Sequence, residues 1–250
     1  MSVAIQEQVV HSPARAETKN LAIVGYGKMG RWIEQLAPEY GFDVRLRLDA
    51  TNNSRVESLT SERLRGIDVA MEFSTPAAAP ENLARLAELG ISTVAGTTGW
   101  LGELARVLAA VERGGAGLVW SANYSVGMVV FTQIVAETAR LLAGEADYGA
   151  WAWEIHHAAK KDAPSGTLRK LVEEIKRSGY TRPLDSAASR AGSHPGTHEI
   201  GFDSAADTIT LRHSARSREG FVRGALRSAR WVIGKQGVRE FREIVHELGN

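Results

Sequence analysis

Four potentially cationic side chains lie within six residues near the middle of the 250-residue chain: His156, His157, Lys160 and Lys161. The sequence Ala163-Pro164-Ser165-Gly166-Thr167 follows, and it predicts a loop that opens a helix. Positive side chains and the free N–H groups of a helix N-terminus both bind carboxylates. The segment therefore predicts a binding site for a small anion.

A glycine triplet of the form G-x-G-x-x-G lies near the start of the chain, in Gly25-Tyr26-Gly27-Lys28-Met29-Gly30. It directly follows a predicted strand and opens a predicted helix. Gly25 permits the tight turn, Gly27 lets the main chain approach a pyrophosphate, and Gly30 lets the helix pack against the strand. This context predicts that residues 25–30 bind a dinucleotide, in preference to a glycine-rich turn without a ligand.

Asp49 follows the second predicted strand, at about the 20-residue spacing at which an acidic side chain accepts hydrogen bonds from the adenosine ribose. This position favours NAD. Arg45, Arg47 and Lys28 are near enough in sequence to meet a 2′-phosphate instead. The choice between NADH and NADPH therefore stays open.

Two further loops follow predicted strands, Gly96-Thr97-Thr98-Gly99 and Ser121-Ala122-Asn123-Tyr124. Ligands of doubly wound sheets lie beyond the carboxyl ends of the strands. Small hydroxyl residues and glycines in such loops let a nicotinamide ring lie flat against the main chain. We therefore predict cofactor contacts from both loops, although either one alone is also typical of an ordinary turn.

Short apolar runs alternate with helical patterns from Leu21 to Trp120, which is typical of a parallel sheet covered by helices. The predicted strands are 21–24, 44–48, 69–73, 93–95 and 117–120, and the predicted helices are 28–40, 76–89 and 101–113. The fold class is therefore α/β, with a Rossmann-type doubly wound parallel sheet.

The pattern changes after Asn123 and predicts a second, α+β substrate domain with an open mixed sheet. A helix is predicted over 126–142, a strand over 148–157 and a hairpin over 200–204 and 209–213. The helix predicted over 219–233 and the terminal pattern 238–248 can return to the first domain. The predicted organisation is a flexible tail over 1–19, a dinucleotide-binding domain over 20–124 and 217–250, and a substrate-binding and oligomerisation domain over 125–216.

Charge and composition exclude several classes of function. Thirty basic and twenty-nine acidic residues give a net charge of +1, so neither a nucleic-acid nor a membrane partner is indicated. No apolar run approaches the roughly 18 residues of a membrane span, and a cytoplasmic location follows by default. The absence of cysteine removes disulfides, thiolate metal sites and a cysteine nucleophile.

A zinc site is a second interpretation of the paired histidines, with His194, His198 or His213 as further ligands. It is disfavoured because adjacent residues of a strand point to opposite faces and because no compact ligand spacing is present. No metal is therefore expected.

The stretch from Glu154 to Thr167 resembles the signature of the 4-hydroxy-tetrahydrodipicolinate (dihydrodipicolinate) reductase family, Glu-x-His-His-x-x-Lys-x-Asp-x-Pro-Ser-Gly-Thr, at every specified position. Trp151, Ala152 and Leu168 depart from the usual family pattern beside this motif. The resemblance spans essentially residues 20–235 and is carried also by Gly25 to Gly30, Phe73-Ser74-Thr75-Pro76, Gly96-Thr97-Thr98-Gly99, Asn123-Tyr124-Ser125-Val126-Gly127, Gly196-Thr197-His198-Glu199, His213 and Ser217-Arg218.

This resemblance implies NAD(P)H-dependent reduction of 4-hydroxy-tetrahydrodipicolinate to tetrahydrodipicolinate in lysine and diaminopimelate biosynthesis, by a homotetramer. His156 and Lys160 would be catalytic, with Lys160 as the proton donor. The residues that would bind the substrate are His157, Lys160, Ser165, Gly166 and Thr167. Those that would bind the cofactor are Gly25, Tyr26, Gly27, Lys28, Met29, Gly30, Asp49, Ser74, Thr75, Gly96, Thr97, Thr98, Ser121, Ala122, Asn123 and Tyr124.

Two alternatives stay open. Another NAD(P)-dependent reductase of a small amino or keto acid, such as homoserine or aspartate dehydrogenase, shares the fold and the cofactor, but the His-His-x-x-Lys and Pro-Ser-Gly-Thr segments argue against it. A dinucleotide sensor without turnover has no use for paired cationic proton donors, and it is expected to expose an apolar patch for a partner.

Overall fold

The structure, a computed structural model, describes residues 17–53 and 56–249. Its first lobe contains a six-stranded sheet in which every strand pair is parallel. With elements numbered in chain order, the strands are β1 (Lys19–Val24), β2 (Phe42–Leu48), β3 (Val69–Glu72), β4 (Thr93–Ala95), β5 (Gly117–Trp120) and β10 (Gly237–Glu240), in the spatial order β10-β5-β4-β3-β1-β2. The helices of this lobe are α1 (Lys28–Leu36), α2 (Ala79–Glu88), α3 (Leu104–Gly114), α6 (Glu219–Val232) and α7 (Phe241–Ile244).

Apolar side chains bury this sheet on both faces. Leu21 and Ile23 of β1 belong to one core cluster, which includes α6. Ala22 and Val24 belong to another, on the opposite face. Successive residues of a strand point to opposite faces, so a run that is apolar throughout indicates a sheet covered on both sides. The predicted doubly wound parallel sheet is confirmed.

The second lobe contains a mixed four-stranded sheet in the order β7-β6-β8-β9. Its strands are β6 (Gly149–His156), β7 (Leu184–Arg190), β8 (Thr197–Asp203) and β9 (Thr208–Ser214), and its helices are α4 (Val126–Leu141) and α5 (Gly166–Arg177). β7 pairs with β6 in parallel, whereas β8 pairs with β6 and with β9 in an antiparallel manner. The expectation of a mixed sheet is confirmed, and the predicted hairpin corresponds to β8 and β9.

The helices cover only one face of this second sheet. Ala150 and Ala152 of β6 are buried in a cluster with residues of α4 and α5, while Trp151 and Trp153 lie on the other face and remain partly exposed. Gly201 pairs with Trp151 across β6 and β8, and a Cβ atom at Gly201 would lie 2.1 Å from the indole. The departure from the family pattern at Trp151 is therefore accommodated by a glycine on the neighbouring strand.

The C-terminal segment returns to the first lobe. Val222, Ala225 and Ala229 of α6 are buried in the same cluster as β1 and β3. The terminal pattern predicted over 238–248 contains two elements, because β10 first adds to the edge of the sheet beside β5 and α7 follows directly.

The tail predicted over 1–19 lies outside the described residues, except for residues 17–19, and Lys19 begins β1. Among the described residues, no helix has both the length and the apolar character needed to cross a membrane.

Helix α6 passes so close to the loop after β5 that only glycine fits at the crossing. A Cβ atom at Gly224 would lie 1.9 Å from the carbonyl oxygen of Tyr124, whereas one at Gly220, in the same helix, would meet nothing within 4 Å. We expect Gly224→Ala to lower the free energy of unfolding by about 1–3 kcal/mol, since either the helix or the loop must shift. Chemical denaturation measures this change.

The matched control is Gly220→Ala. Alanine favours a helix over glycine by up to about 1 kcal/mol, so this variant should be as stable as the parent or slightly more stable. Equal stability of the two variants would contradict the close approach at Gly224.

Candidate active site

The predicted cofactor residues meet at one edge of the first sheet, where its parallel strands end. The glycine turn follows β1, Asp49 follows β2, and loops containing Ser74 and Thr97 follow β3 and β4. Thr75 is exposed on the same loop as Ser74. A cavity of about 220 Å³ at this edge is lined by Met29, Phe73, Ser74, Pro76, Gly96, Thr97 and Thr98.

The glycine turn leaves the N-terminus of α1 open. Gly25 has φ +102°, and a Cβ atom there would lie 2.1 Å from the carbonyl oxygen of Phe73. A Cβ atom at Gly30 would lie 2.5 Å from the carbonyl oxygen of Gly25. A Cβ atom at Gly27, by contrast, would meet nothing within 4 Å. Gly27 is the N-cap of α1 and provides no side-chain hydrogen bond to the helix. The first N–H groups of α1 can therefore bind a phosphate.

Asp49 and Arg47 both bind neighbouring side chains, but their partners differ. Asp49 accepts hydrogen bonds from the Thr51 amide (2.8 Å) and the Thr51 hydroxyl (2.5 Å), which lower the pKa of the carboxyl group and order the turn after β2. Arg47 donates to Oε1 of Glu34 (2.6 Å from Nε), and Tyr26 donates to the same carboxylate. The Arg47 charge is therefore paired with Glu34.

The loop after β5 leads into α4. Ser121 donates to the carbonyl oxygen of Asn123 (2.8 Å), the Asn123 side chain accepts from the Ser125 amide (2.8 Å), and Ser125 caps α4. Ala122 is exposed. The Tyr124 side chain is 3% exposed, and its hydroxyl lies 2.8 Å from the carbonyl oxygen of Ala95 and 3.0 Å from that of Val119. The Tyr124 side chain is thus part of the core.

The predicted catalytic segment begins on β6 and ends at the N-terminus of α5. His156 is the last residue of β6 and is buried, whereas the next residue, His157, is half-buried beyond the strand. The Lys160 ammonium donates to Asp162 (2.7 Å), and this ion pair is the largest cause that lowers the pKa of Asp162. Gly166, the exposed first residue of α5, also contributes to that lowering through its main chain.

A buried carboxylate, Glu154, lies behind this segment. It accepts hydrogen bonds from the Ser165 amide (2.8 Å) and hydroxyl and from the Arg190 guanidinium (2.8 Å). Burial opposes ionisation of Glu154, but the bonds from Ser165 and Arg190 outweigh it, and the pKa of Glu154 is lowered. Ser165 is itself buried, and its oxygen also accepts from the Leu168 amide as the cap of α5.

His156 and His198 lie side by side against Glu154, with their ring centres 5.1 Å apart. Oε2 of Glu154 is 3.6 Å from Nδ1 of His156 and 3.4 Å from Nε2 of His198. Burial lowers the pKa of both histidines, and that of His198 falls to about 4. Nδ1 of His156 is buried and has no hydrogen-bond partner among the described residues. Both imidazoles are therefore neutral at neutral pH.

The side-chain donor atoms of Glu154, His156 and His198 all lie within 4.8 Å of one another, a spacing that a metal ion can use. The sequence did not indicate this set, because its members come from two strands. Arg190 and Ser165 already bind the Glu154 carboxylate, and the cationic Arg190 side chain opposes a second positive charge there.

The loop after β5 and the first turns of α5 face a common cavity of about 510 Å³. Ser121 and Asn123 line it from the first lobe, while Thr167 and Lys170 line it from α5. The structure thus brings two predicted cofactor residues and one predicted substrate-binding residue, Thr167, to the same space, whereas the loops after β3 and β4 line the cavity of about 220 Å³.

The sequence analysis gave no role to Glu154 or Arg190, and it considered His198 only as a possible zinc ligand. Glu154 precedes His156 by two residues on a strand, so the two side chains share a face, and this spacing could have revealed the pair. Arg190 and His198 lie on β7 and β8, and only the strand pairing brings them to β6.

Comparisons with known proteins agree with this geometry. The sequence family described as "Dihydrodipicolinate reductase, N-terminus" matches residues 19–124, and its counterpart "Dihydrodipicolinate reductase, C-terminus" matches residues 127–245. A 4-hydroxy-tetrahydrodipicolinate reductase from Christiangramia forsetii is 32% identical over 244 residues, which cover 92% of this chain and 98% of that protein.

The chain belongs to the dihydrodipicolinate reductase family. A second family member, the 4-hydroxy-tetrahydrodipicolinate reductase from Methanoregula boonei, is 37% identical over 183 residues, covering 68% of this chain and 71% of that protein. A solved dihydrodipicolinate reductase from Paenisporosarcina sp. TG-14 shares the fold, with a TM-score of 0.77 and 21% identity over 91% of this chain and 99% of that chain.

Reductases of this family are NAD(P)H-dependent oxidoreductases of lysine and diaminopimelate biosynthesis, and their N-terminal domain binds the dinucleotide. The predicted family, fold class, type of enzyme and cofactor are confirmed.

The Glu154 carboxylate should hold the catalytic segment of this reductase together. We expect Glu154→Gln to lower the free energy of unfolding by about 3–5 kcal/mol at neutral pH, because the Arg190 charge would remain buried without its partner. The pKa of Glu154 is lowered in the folded protein, so its contribution is present above the ordinary glutamate pKa and is lost as pH falls through the folded value. Denaturant titrations from neutral pH down to about pH 4 measure the difference.

Glu137→Gln is the control, since Glu137 forms an exposed ion pair with Arg140 on α4. Exposed pairs contribute about 0–1 kcal/mol, so this variant should stay close to the parent at each pH. A Glu154→Gln variant that is equally stable would show that the buried carboxylate does not hold Arg190.

Proposed function

We propose that this chain reduces 4-hydroxy-tetrahydrodipicolinate to tetrahydrodipicolinate with NADH or NADPH, and that His156 and Lys160 carry the proton chemistry. One observation carries the assignment of the site: the loop after β5 and the first turns of α5 line the same cavity. The proposed dinucleotide-binding domain comprises residues 20–124 and 217–250, and the proposed substrate domain comprises residues 125–216.

The edge of the first sheet fits a dinucleotide. The open N-terminus of α1 at Gly27 can receive the pyrophosphate, and the ordered carboxylate of Asp49 can accept hydrogen bonds from the adenosine ribose. Because Glu34 pairs with Arg47, a 2′-phosphate would have to draw on Lys28 or disrupt that pair. The nicotinamide end would contact the main chain and small side chains of Ser74, Thr75, Gly96, Thr97, Thr98, Ser121, Ala122, Asn123 and Tyr124.

The start of α5 fits a dicarboxylate. Lys160, together with the main chain of Gly166, already stabilises the Asp162 carboxylate, as the lowered pKa of Asp162 indicates. These groups, with His157 and Thr167, can bind the carboxylates of the substrate in the same way. The Paenisporosarcina reductase was solved with dipicolinate bound, which supports a cyclic dicarboxylate as the ligand. The Ser165 hydroxyl already donates to Glu154 and accepts from the first turn of α5. We therefore propose that Ser165 stabilises this loop.

The reaction removes the ring hydroxyl group of the substrate as water and adds one hydride and one proton to the resulting unsaturated ring. NAD(P)H, when bound, supplies the hydride. Lys160 holds the proton in its ammonium group and donates it to the ring, while the ion pair with Asp162 keeps that group close to the site. His156 is neutral in the free protein, and the negative charge of a bound dicarboxylate would favour its protonated form, so it can pass a proton toward Lys160.

The uncovered face of the second sheet supports a homotetramer. Trp151 and Trp153 lie on this face and are partly exposed, and association of these faces would bury them. A cytoplasmic location is proposed together with the biosynthetic role.

The first experiment measures oxidation of NADH and of NADPH by the purified protein, with a dihydrodipicolinate synthase generating the substrate from pyruvate and aspartate semialdehyde. Oxidation that depends on the synthase product is expected. If both cofactors bind but neither is oxidised, the substrate assignment is wrong, and a reductase of another small acid or a dinucleotide sensor becomes the better hypothesis.

Lys160→Ala should lower turnover by about a hundredfold or more, within the range of general acid catalysis. Lys161→Ala is the matched control, because Lys161 is the exposed neighbouring lysine. Steady-state kinetics with saturating cofactor compare the two variants. Unchanged turnover in Lys160→Ala, or an equal loss in both variants, would remove Lys160 from the mechanism.

A further inference from the structure

A second buried acid, Glu72, lies beneath the cofactor edge of the first sheet. It is the last residue of β3, its exposed fraction is 0%, and the proposed mechanism gives it no role. Its neighbours in the sheet are Val24 on β1 and Ala95 on β4. A carboxyl group in the middle of a parallel sheet is costly to keep unless it is neutral or well paired, so its presence calls for a reason.

Uncharged groups surround this carboxyl group. Oε1 accepts hydrogen bonds from the Ser74 amide (3.3 Å), the Ser74 hydroxyl and the Asn82 side chain (3.3 Å). Oε2 is buried and has no hydrogen-bond partner among the described residues. Tyr124 is the titratable group that faces it, and the Tyr124 phenol stays protonated because burial raises its pKa well above the ordinary value.

The surroundings of Glu72 therefore favour its neutral form in the folded protein. Burial raises the pKa of Glu72, and the polar side chains of Ser74, Thr97 and Asn82 offset this only in part. Glu154 differs from Glu72 because a positive charge, the Arg190 guanidinium, lies 2.8 Å from the Glu154 carboxylate. An ionised Glu72 would place a charge in the core with one oxygen unpaired, which costs more than an unpaired neutral group.

The hydrogen bonds of Glu72 lead to the cofactor loops on both sides. The Ser74 amide, which contacts Glu72, also donates to the Thr97 hydroxyl (2.8 Å), so the loops after β3 and β4 are linked. Asn82 accepts from the Asn53 side chain (3.2 Å), which belongs to the turn that begins at Asp49. One buried network thus connects the three loops that would contact the ribose and the nicotinamide.

We propose that Glu72, in its neutral form, is a positioning residue that fixes the Ser74 and Thr97 loops in the geometry that binds the dinucleotide. The proposal rests on the cofactor site described under the proposed function. It assigns the residue to cofactor affinity and leaves the chemical step to His156 and Lys160.

The decisive variant is Glu72→Gln, which keeps the shape and removes the ionisation. NADH binding is measured by quenching of tryptophan fluorescence, in the absence of the cyclic substrate. At neutral pH we expect Glu72→Gln to bind NADH within about twofold of the parent, and Glu72→Ala to bind about tenfold more weakly or worse, since the loops would lose their common partner. As pH rises toward about pH 9, the affinity of the parent should fall while that of Glu72→Gln stays constant.

Stability gives an independent readout. The unfolded chain releases the Glu72 proton near the ordinary glutamate pKa, whereas the folded protein keeps it to a higher pH. The stability of the parent therefore falls as pH rises through this interval. Glu72→Gln should melt a few degrees higher than the parent, by about 2–4 °C, with the difference growing from about pH 5 to neutral pH. Glu112→Gln, on the exposed side of α3, is the control and should show no such trend.

The results separate cleanly. A Glu72→Gln variant that binds NADH as weakly as Glu72→Ala, or that is less stable than the parent, would show an ionised carboxylate and overturn the proposal. So would a Glu72→Ala variant with parental affinity. If Glu72→Ala does not fold, Asn82→Ala replaces it, because Asn82 links Glu72 to the turn of Asn53 and is not among the proposed cofactor contacts. This variant should weaken NADH binding severalfold, whereas unchanged binding would count against the network. A parent protein that binds NADH but reduces no substrate would defeat the proposed function and leave these comparisons intact.

Discussion

The parallel direction of the strands is the constraint on which the site depends. Because β1 to β5 all run the same way, every loop at their carboxyl ends emerges at one edge. Glycine-rich and hydroxyl-bearing loops that are far apart in sequence thereby line one cleft. The second lobe adds to this edge, since Thr167 and Lys170 of α5 line a second cavity together with Ser121 and Asn123 of the loop after β5. In the proposed function, the first lobe supplies the dinucleotide site and the second lobe supplies the anion site.

Each lobe holds its loops with one buried glutamate, and the two carboxyl groups are accommodated in opposite ways. Glu154 is ionised because Arg190 and Ser165 bind it, and it faces His156, the proposed catalytic histidine. Glu72 has only uncharged partners. This difference in charge fits the surroundings of each residue. A carboxylate near His156 can balance positive charge during proton transfer. A negative charge beneath the cofactor cleft would instead repel the phosphates of a dinucleotide.

Much of the fold follows from sequence pattern, and the exceptions have physical causes. The central strands are apolar on both faces, so their positions could be predicted closely. β7 could not, because its sequence Leu-Asp-Ser-Ala-Ala-Ser-Arg is small and polar and it forms an exposed edge that only its pairing with β6 defines. β10 could not be predicted either, because a strand of only four residues is too short to show a periodic pattern. The residue types alone identified the glycine turn and the cationic segment. Arg190 and His198, which lie beside Glu154 behind the cationic segment, could be located only from the strand register.

The ion pair between Lys160 and Asp162 shows how the proposed catalytic cation can be held before a substrate binds. The Lys160 side chain is partly exposed, and the Asp162 carboxylate balances its charge. Asp162 is half exposed and only two residues away, so it can move aside at little conformational cost. In the proposed mechanism, a substrate carboxylate replaces Asp162 as the anionic partner of Lys160, so the charge of Lys160 is paired throughout. The ion pair with Lys160 lowers the pKa of Asp162, and the same positive charge would stabilise a bound substrate carboxylate.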